Sequence, residues 1–125
     1  ERFVEALNSR EVPRVAALLA DDATAEVLGS PFPVERGREV IARTSLPHVL
    51  APQAGLVASV AVSGGHPWVL LRADDGEGPI DTAIRLDHEG TEVTRIEYLV
   101  AAHLPEALRS LGAELGLPTR APGTE

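Results

Sequence analysis

Apolar residues recur at helical spacing through the first fifty positions and at alternate positions through much of the rest. Phe3, Val4 and Leu7 share one helical face, which Asn8-Ser9 then loosens. In "EVPRVAALLADD" (residues 11–22), Val12, Val15, Ala16, Leu18 and Leu19 follow the i, i+3, i+4, i+7 rule of an amphipathic helix. Pro13 fits the first turn of that helix, where a missing N–H costs nothing. "ATAEVLG" predicts a short strand ending at Gly29, and the two prolines of "SPFPV" predict a loop. "RGREVIARTSLPHVL" predicts a helix restarting after Gly37, with Val40, Ile41 and Thr44 on one side and an end or kink at Pro47.

From Gly55 the period changes. "GLVASVAV", "PWVLLRA", "IDTAIRLD" and "TEVTRIEYLV" are β-rich runs, separated by hairpin-type turn chemistry in "SGGH", "DDGEGP" and "HEG". Ile80, Thr82, Ile84 and Leu86 are expected on one face of their strand, with Asp81, Ala83, Arg85 and Asp87 on the other. A closing helix starts at Pro105 in its first position and carries a stripe of Leu104, Leu108, Leu111 and Leu115. It stops at Gly116, with Pro118 just beyond. Helices gathered early and strands gathered late predict an α+β fold. The expected form is a strongly curved, mostly antiparallel sheet wrapped around about three helices, a cone-shaped barrel with a pocket. Residues 1–118 would form this one domain and 119–125 a frayed tail.

Composition narrows the function classes. Nineteen acidic against eleven basic residues leave a net charge of −8, which repels phosphate backbones and argues against direct nucleic-acid contact. No apolar run approaches the roughly 20 residues of a membrane span, and no signal peptide is visible. Cytoplasm is therefore the expected compartment. Without cysteine there is neither a disulfide framework nor a thiolate metal site. All eleven basic residues are arginine, which suggests a GC-rich genome. The chain has no methionine and opens on an uncapped helical pattern at Glu1, so it is expected to be a piece of a longer polypeptide or a chain trimmed to its ordered part.

"RFVEALNSREVPRVAALLADDATAEV" followed by "RGREVIAR" resembles the SnoaL-like branch of the nuclear-transport-factor-2-like superfamily. The strand meander that follows extends this resemblance over nearly the whole chain. "VERGREVIARTSLPHVL", "HPWVLLR" and the "RIEY" to "ELGLPTR" tail are similar to SnoaL-like domains at the C-terminus of some extracytoplasmic-function sigma factors. That resemblance implies a regulatory appendage. Its partners would be the preceding sigma-factor domains in the same chain; a plain dimerisation module, a homodimer paired through the outer face of the sheet across a two-fold axis, is a separate reading. The superfamily also hosts cyclases and isomerases, so the fold alone leaves the activity open.

The candidate site residues follow from side-chain chemistry. Tyr98, between Ile96 and Val100, can aim a phenol into an apolar pocket as a hydrogen-bond donor; otherwise it is a core tyrosine. Trp68 can stack on a flat ligand or cover the open end of the sheet. His48, after the Pro47 break, is placed near the pocket mouth and can exchange a proton near neutral pH. Ile84 and Ile96 would complete the lining. His66 and His88 sit in turns, and His103 precedes a helix start. No histidine pair has metal-site spacing, and neither a metal nor a cofactor is expected. Asp81, Arg85 and Asp87 match in type an Asp-Arg-Asp set used by epoxide hydrolases of the superfamily. Their alternation with Ile80, Ile84 and Leu86 instead predicts an outward-facing ion pair. Glu26 and Glu97 would be base candidates only if buried with raised pKa values.

The leading expectation is a non-catalytic regulatory or ligand-binding domain taking a small apolar ligand. The alternative is a cyclase- or isomerase-type enzyme acting on a hydrophobic substrate, with Tyr98, His48 or Asp81 assisting proton transfer.

Overall fold

In the computed structural model, the described residues are 2–49, 56–101 and 103–119, without the side chains of 48, 49, 74 and 75. In chain order they form α1 (Arg2–Ser9), α2 (Val12–Ala16), β1 (Leu19–Val27), β2 (Glu35–Arg36), α3 (Arg38–Arg43) and α4 (Ser45–Val49). Then come β3 (Val57–Ser63), β4 (His66–Arg72), α5 (Ala73–Gly76), β5 (Ile80–Glu89), β6 (Glu92–Val100) and α6 (Pro105–Leu115). The six strands make one curved, open sheet in the order β2-β1-β6-β5-β4-β3; β1 runs parallel to β6 and the other neighbours are antiparallel. This is the expected α+β architecture, with the sheet left open instead of closing into a barrel.

The meander from β3 to β6 follows the expected turn chemistry. Gly64 and Gly65, at φ of 61° and 79°, make the two-residue connection between β3 and β4. Gly90, at φ of 64°, begins the turn between β5 and β6. "DDGEGP" is different: it contains the one-turn helix α5.

Both faces of the sheet carry buried residues. Its inner face packs against α1 to α4, through Phe3, Leu7, Val15, Ile41 and Leu46 from the helices and Val69, Leu71, Ile84, Ile96 and Tyr98 from the strands. Its outer face is partly covered by α6, where Leu108 and Leu111 meet Leu70, Ile80, Ala83 and Leu99. α6 ends as expected: Gly116 is left-handed at φ of 71°, while Leu117 N–H donates to the Gly112 carbonyl (2.8 Å) and Gly116 N–H to that of Ala113 (3.2 Å).

Three local expectations are corrected. The helix predicted through Leu19 ends at Ala16, because Leu18 and Leu19 find better partners on β6. Val93 N–H donates to the Leu18 carbonyl at 2.8 Å, and Leu19 pairs with Val93 and is fully buried. The break placed at Pro47 falls at Thr44, whose hydroxyl donates to the Val40 carbonyl at 2.6 Å and whose backbone leaves the helical region. Pro47 is instead tolerated near the start of α4, where its missing N–H removes no bond. Ile80, expected on the face of Ile84, packs with Ala83 under α6. A bulge makes Leu71 pair with Thr82 but Arg72 with Ile80, which breaks the two-residue alternation at Asp81. Beyond α6, Thr119 forms a parallel bridge with Ile80, and residues 120–125 lie outside the described residues.

Candidate functional site

Strand register assembles the inner site. Val27, Tyr98, Ile84 and Val69 lie side by side across β1, β6, β5 and β4, so Tyr98 stands at the centre of an apolar row. One row away, Glu35, Ala25, Ile96 and Leu86 align across β2, β1, β6 and β5. Polar atoms are sparse on this face. The Tyr98 hydroxyl lies 3.3 Å from Ser45 Oγ at the start of α4, where either oxygen can donate. Glu35 Oε1 is buried and has no hydrogen-bond partner among the described residues.

Tyr98 is 3% exposed. Burial pushes its phenol up to about 12; the Ser45 hydrogen bond opposes the rise and the negative charge of Glu35 adds to it. At neutral pH the side chain is therefore a neutral phenol able to donate a hydrogen bond. The Glu35 carboxylate and the Tyr98 phenol thus share one face of the sheet with the Ser45 hydroxyl, while Ile84 and Ile96 beside them are packed in the core.

A second polar cluster occupies the outer face. Glu97 is 6% exposed and sits between two arginines. Arg85 donates to Oε1 from Nε (2.8 Å) and Nη2 (2.5 Å), and Arg95 donates to Oε2 from Nε (3.2 Å) and Nη2 (2.7 Å). Asp87 also pairs with Arg95, at 3.7 Å, and the Arg85 guanidinium lies 5.5 Å from the Trp68 ring centroid. Burial by itself would raise the Glu97 pKa, but the hydrogen bonds and charges of Arg85 and Arg95 bring it below the usual carboxylate value. Glu97 is thus a clamp that is charged at neutral pH.

The structure brings Tyr98, Ile84 and Ile96 together on the inner face. Trp68 lies on the outer side, half-buried against the cluster under α6. Asp81 sits at the bulge and accepts the Thr82 hydroxyl at 3.0 Å. Arg85 and Asp87 belong to the exposed ladder, opposite Glu97 and Arg95 respectively. Glu26, half-buried, lies opposite Glu97 on β1. His48 falls within α4 and its side chain lies outside the described residues. His66 and His88 are exposed, and His103 meets the Phe32 ring edge-on at 5.8 Å. Sequence reasoning missed Glu35 and Ser45. A two-residue strand has no readable period, and Glu35 follows a proline-rich loop.

Elsewhere, a shallow hollow of about 390 Å³ is lined by Asp21, Gly37, Arg38, Glu39 and Val40. Arg38 is already engaged there by Asp21 and by the Leu19 carbonyl. Among the described residues no group of three or more His, Asp or Glu side chains is placed to hold a metal ion, and no helix is long and apolar enough to cross a membrane.

No protein-family model matches the chain, and no curated protein matches it either. Solved structures do. A protein described as a putative ketosteroid isomerase from Kribbella flavida superposes with a TM-score of 0.56 at 21% identity, covering 79% of this chain and 72% of its own. An NTF-2-like protein of unknown function from Burkholderia xenovorans gives 0.57 at 15% identity, covering 78% and 75%. A protein with a ketosteroid isomerase-like fold from Catenulispora acidiphila, solved in complex with trimethylamine, gives 0.53 at 17% identity, covering 94% and 91%. At these identities the likeness establishes the fold, which is NTF2-like.

Proposed function

On the premise of the NTF2-like fold, we propose that this domain binds a small, largely apolar ligand against the inner face of the sheet. In this reading it serves as a non-catalytic regulatory appendage of a sigma-type transcription-initiation factor in the cytoplasm. The observation that supports binding is the Glu35 Oε1 atom, buried without a hydrogen-bond partner among the described residues on the same inner face as the Tyr98 hydroxyl. A buried acceptor left unpaired costs about 1–3 kcal/mol, which a ligand hydrogen bond would recover. Ligand binding can control an attached module only through different affinities for its open and closed states. The contact is with the preceding sigma domains, or with a second copy of the chain in a homodimer. An antibody to the domain should detect a native polypeptide clearly larger than 13.2 kDa in its source cells; a mass near 13.2 kDa would refute the appendage.

The same pair of groups favours one second reading, an isomerase- or cyclase-type enzyme. Glu35 would take a proton from a carbon next to a ligand carbonyl, while the Tyr98 phenol donates a hydrogen bond to the enolate oxygen. Incubation with an apolar enone in heavy water tests it. Deuterium entering the α-carbon, and lost in Glu35→Gln, supports the enzyme; no exchange discards it.

A further inference from the structure

The sheet ends on β3, and the edge that strand turns away from β4 is only half used. Its pairing with β4 runs without a bulge from Val57–Arg72 to Ser63–His66, so alternate residues direct both backbone groups off the edge. Ala58 is one of these: Asn8 accepts its N–H at 2.8 Å and donates to its carbonyl at 3.1 Å. Two residues earlier, Arg10 donates to the Leu56 carbonyl at 2.5 Å. By the same alternation Val60 and Val62 point their N–H and C=O groups outward, and their side chains are 45% and 64% exposed. An edge with bare valines and neither a charge nor a bulge is a template for another strand.

The strand that fits best is β3 itself. A two-fold axis beside Ala61 sets Val60 against Val62 of the second copy and Val62 against its Val60, closing four N–H···O=C bonds. An axis beside Val60 would set Val62 against Ala58, whose backbone groups Asn8 already holds. In the Ala61 register like meets like. Valine faces valine on the inner side, Ser59 faces Ser63 on the outer side, and Ala61 faces itself where the strands come closest. Ala58 and Asn8 of each copy then lie opposite Gly64 of the other, around which there is open space. Residues 56–65 carry no charged side chain, in a chain whose net charge of −8 otherwise repels a second copy. Glu114, which accepts the Ser63 hydroxyl, falls at opposite ends of the paired strands. The two Ser63 residues stand about 13 Å apart by strand rise, beyond the screening length of about 8 Å.

We infer that β3 pairs with β3 of a second copy, antiparallel about Ala61, joining the two sheets into one across a two-fold axis. The inference takes up the homodimer contact of the reading above, and its failure leaves ligand binding and the contact with preceding domains standing.

Sedimentation equilibrium tests it from about 10 μM to about 1 mM, the range suited to a contact of this small area. The mass should rise reversibly from 13.2 kDa towards twice that value. Val60→Lys and Val62→Glu, both at exposed positions, should each weaken association by about tenfold or more. An equimolar mixture of the two should associate again. The register brings the new ammonium of one chain against the new carboxylate of the other and leaves the second valine pair intact. A monomer at 1 mM would overturn self-pairing and leave the edge to an extended segment of another protein. A dimer that neither variant weakens would overturn it too, placing the contact elsewhere, such as the outer face of the sheet. Weakening without rescue in the mixture would overturn the register.

Discussion

Replacing Glu97 by Gln removes one negative charge and almost none of the shape. The carboxylate receives four N–H groups, two from Arg85 on one oxygen and two from Arg95 on the other. An amide turns one of these oxygens into an NH2 group that faces guanidinium donors, so one fork is lost whichever way the amide turns. Hydrogen bonds to a charged group contribute about 1.5–3 kcal/mol each. The arginine side chains are 45% and 53% exposed and regain water, which places the cost at the lower end, about 2 kcal/mol. With an unfolding entropy of about 2.1 cal/mol/K per residue over 125 residues, the Tm should fall by roughly 8 °C. Trp68, the only tryptophan, lies beside Arg85 and reports the transition by fluorescence. Arg85→Met supplies the second arm of a double-mutant cycle: it should destabilise the wild type more than it destabilises Glu97→Gln, where one of the two forks is already gone. A Tm drop under about 2 °C, or an Arg85→Met effect equal in both backgrounds, would refute the clamp. The pH dependence has a definite sign. The native Glu97 pKa lies below its ordinary 4.5, so its contribution is complete above that value and lost as pH falls through the lower native one. The gap between wild type and Glu97→Gln should therefore be constant near neutrality and close in acid.

Tyr98 carries the opposite sign. Its phenol is raised from 10.0 to about 12, so its contribution to stability is present below pH 10 and lost between the two values. Wild type should lose stability across that window while Tyr98→Phe does not, and an ultraviolet titration giving an ordinary phenol would contradict the burial. Gly112→Ala should destabilise despite better helix propensity, because the new methyl would overlap Thr119 Cγ2 and lie 2.8 Å from the Leu117 carbonyl oxygen. A net loss of about 1–2 kcal/mol in urea unfolding is expected, and a gain would show that the C-terminal segment does not pack there. Asn8 bonds both backbone groups of Ala58, donating to its carbonyl (3.1 Å) and accepting its N–H (2.8 Å), and so occupies the free edge of β3. Asn8→Ala should lower stability by about 1–2 kcal/mol and increase self-association in sedimentation, with no change in either arguing against an edge guard.

What the residues determined alone is what depends on neighbours in the chain. Pro105 and Gly116 bracket α6, and paired glycines turn β3 into β4, because capping and turn formation are satisfied within a few residues. The outward reading of Arg85 and Asp87 also followed from simple alternation, since the regular part of β5 keeps its two-residue period. Tertiary structure decided whatever required a distant partner. Leu19 left a helical pattern because β6 offered a parallel backbone and a dry site, more than seventy residues away in sequence. Ile80 changed faces through a bulge that no periodicity announces, and Trp68 joined the α6 side because register, not residue type, selects the face. Tyr98 was legible as a candidate, being the only tyrosine on an apolar strand face. Ser45 and Glu35 were not, because a serine after a helix break and a glutamate in a two-residue strand acquire their meaning only when β1 and β6 align and bring them to the inner face with that phenol.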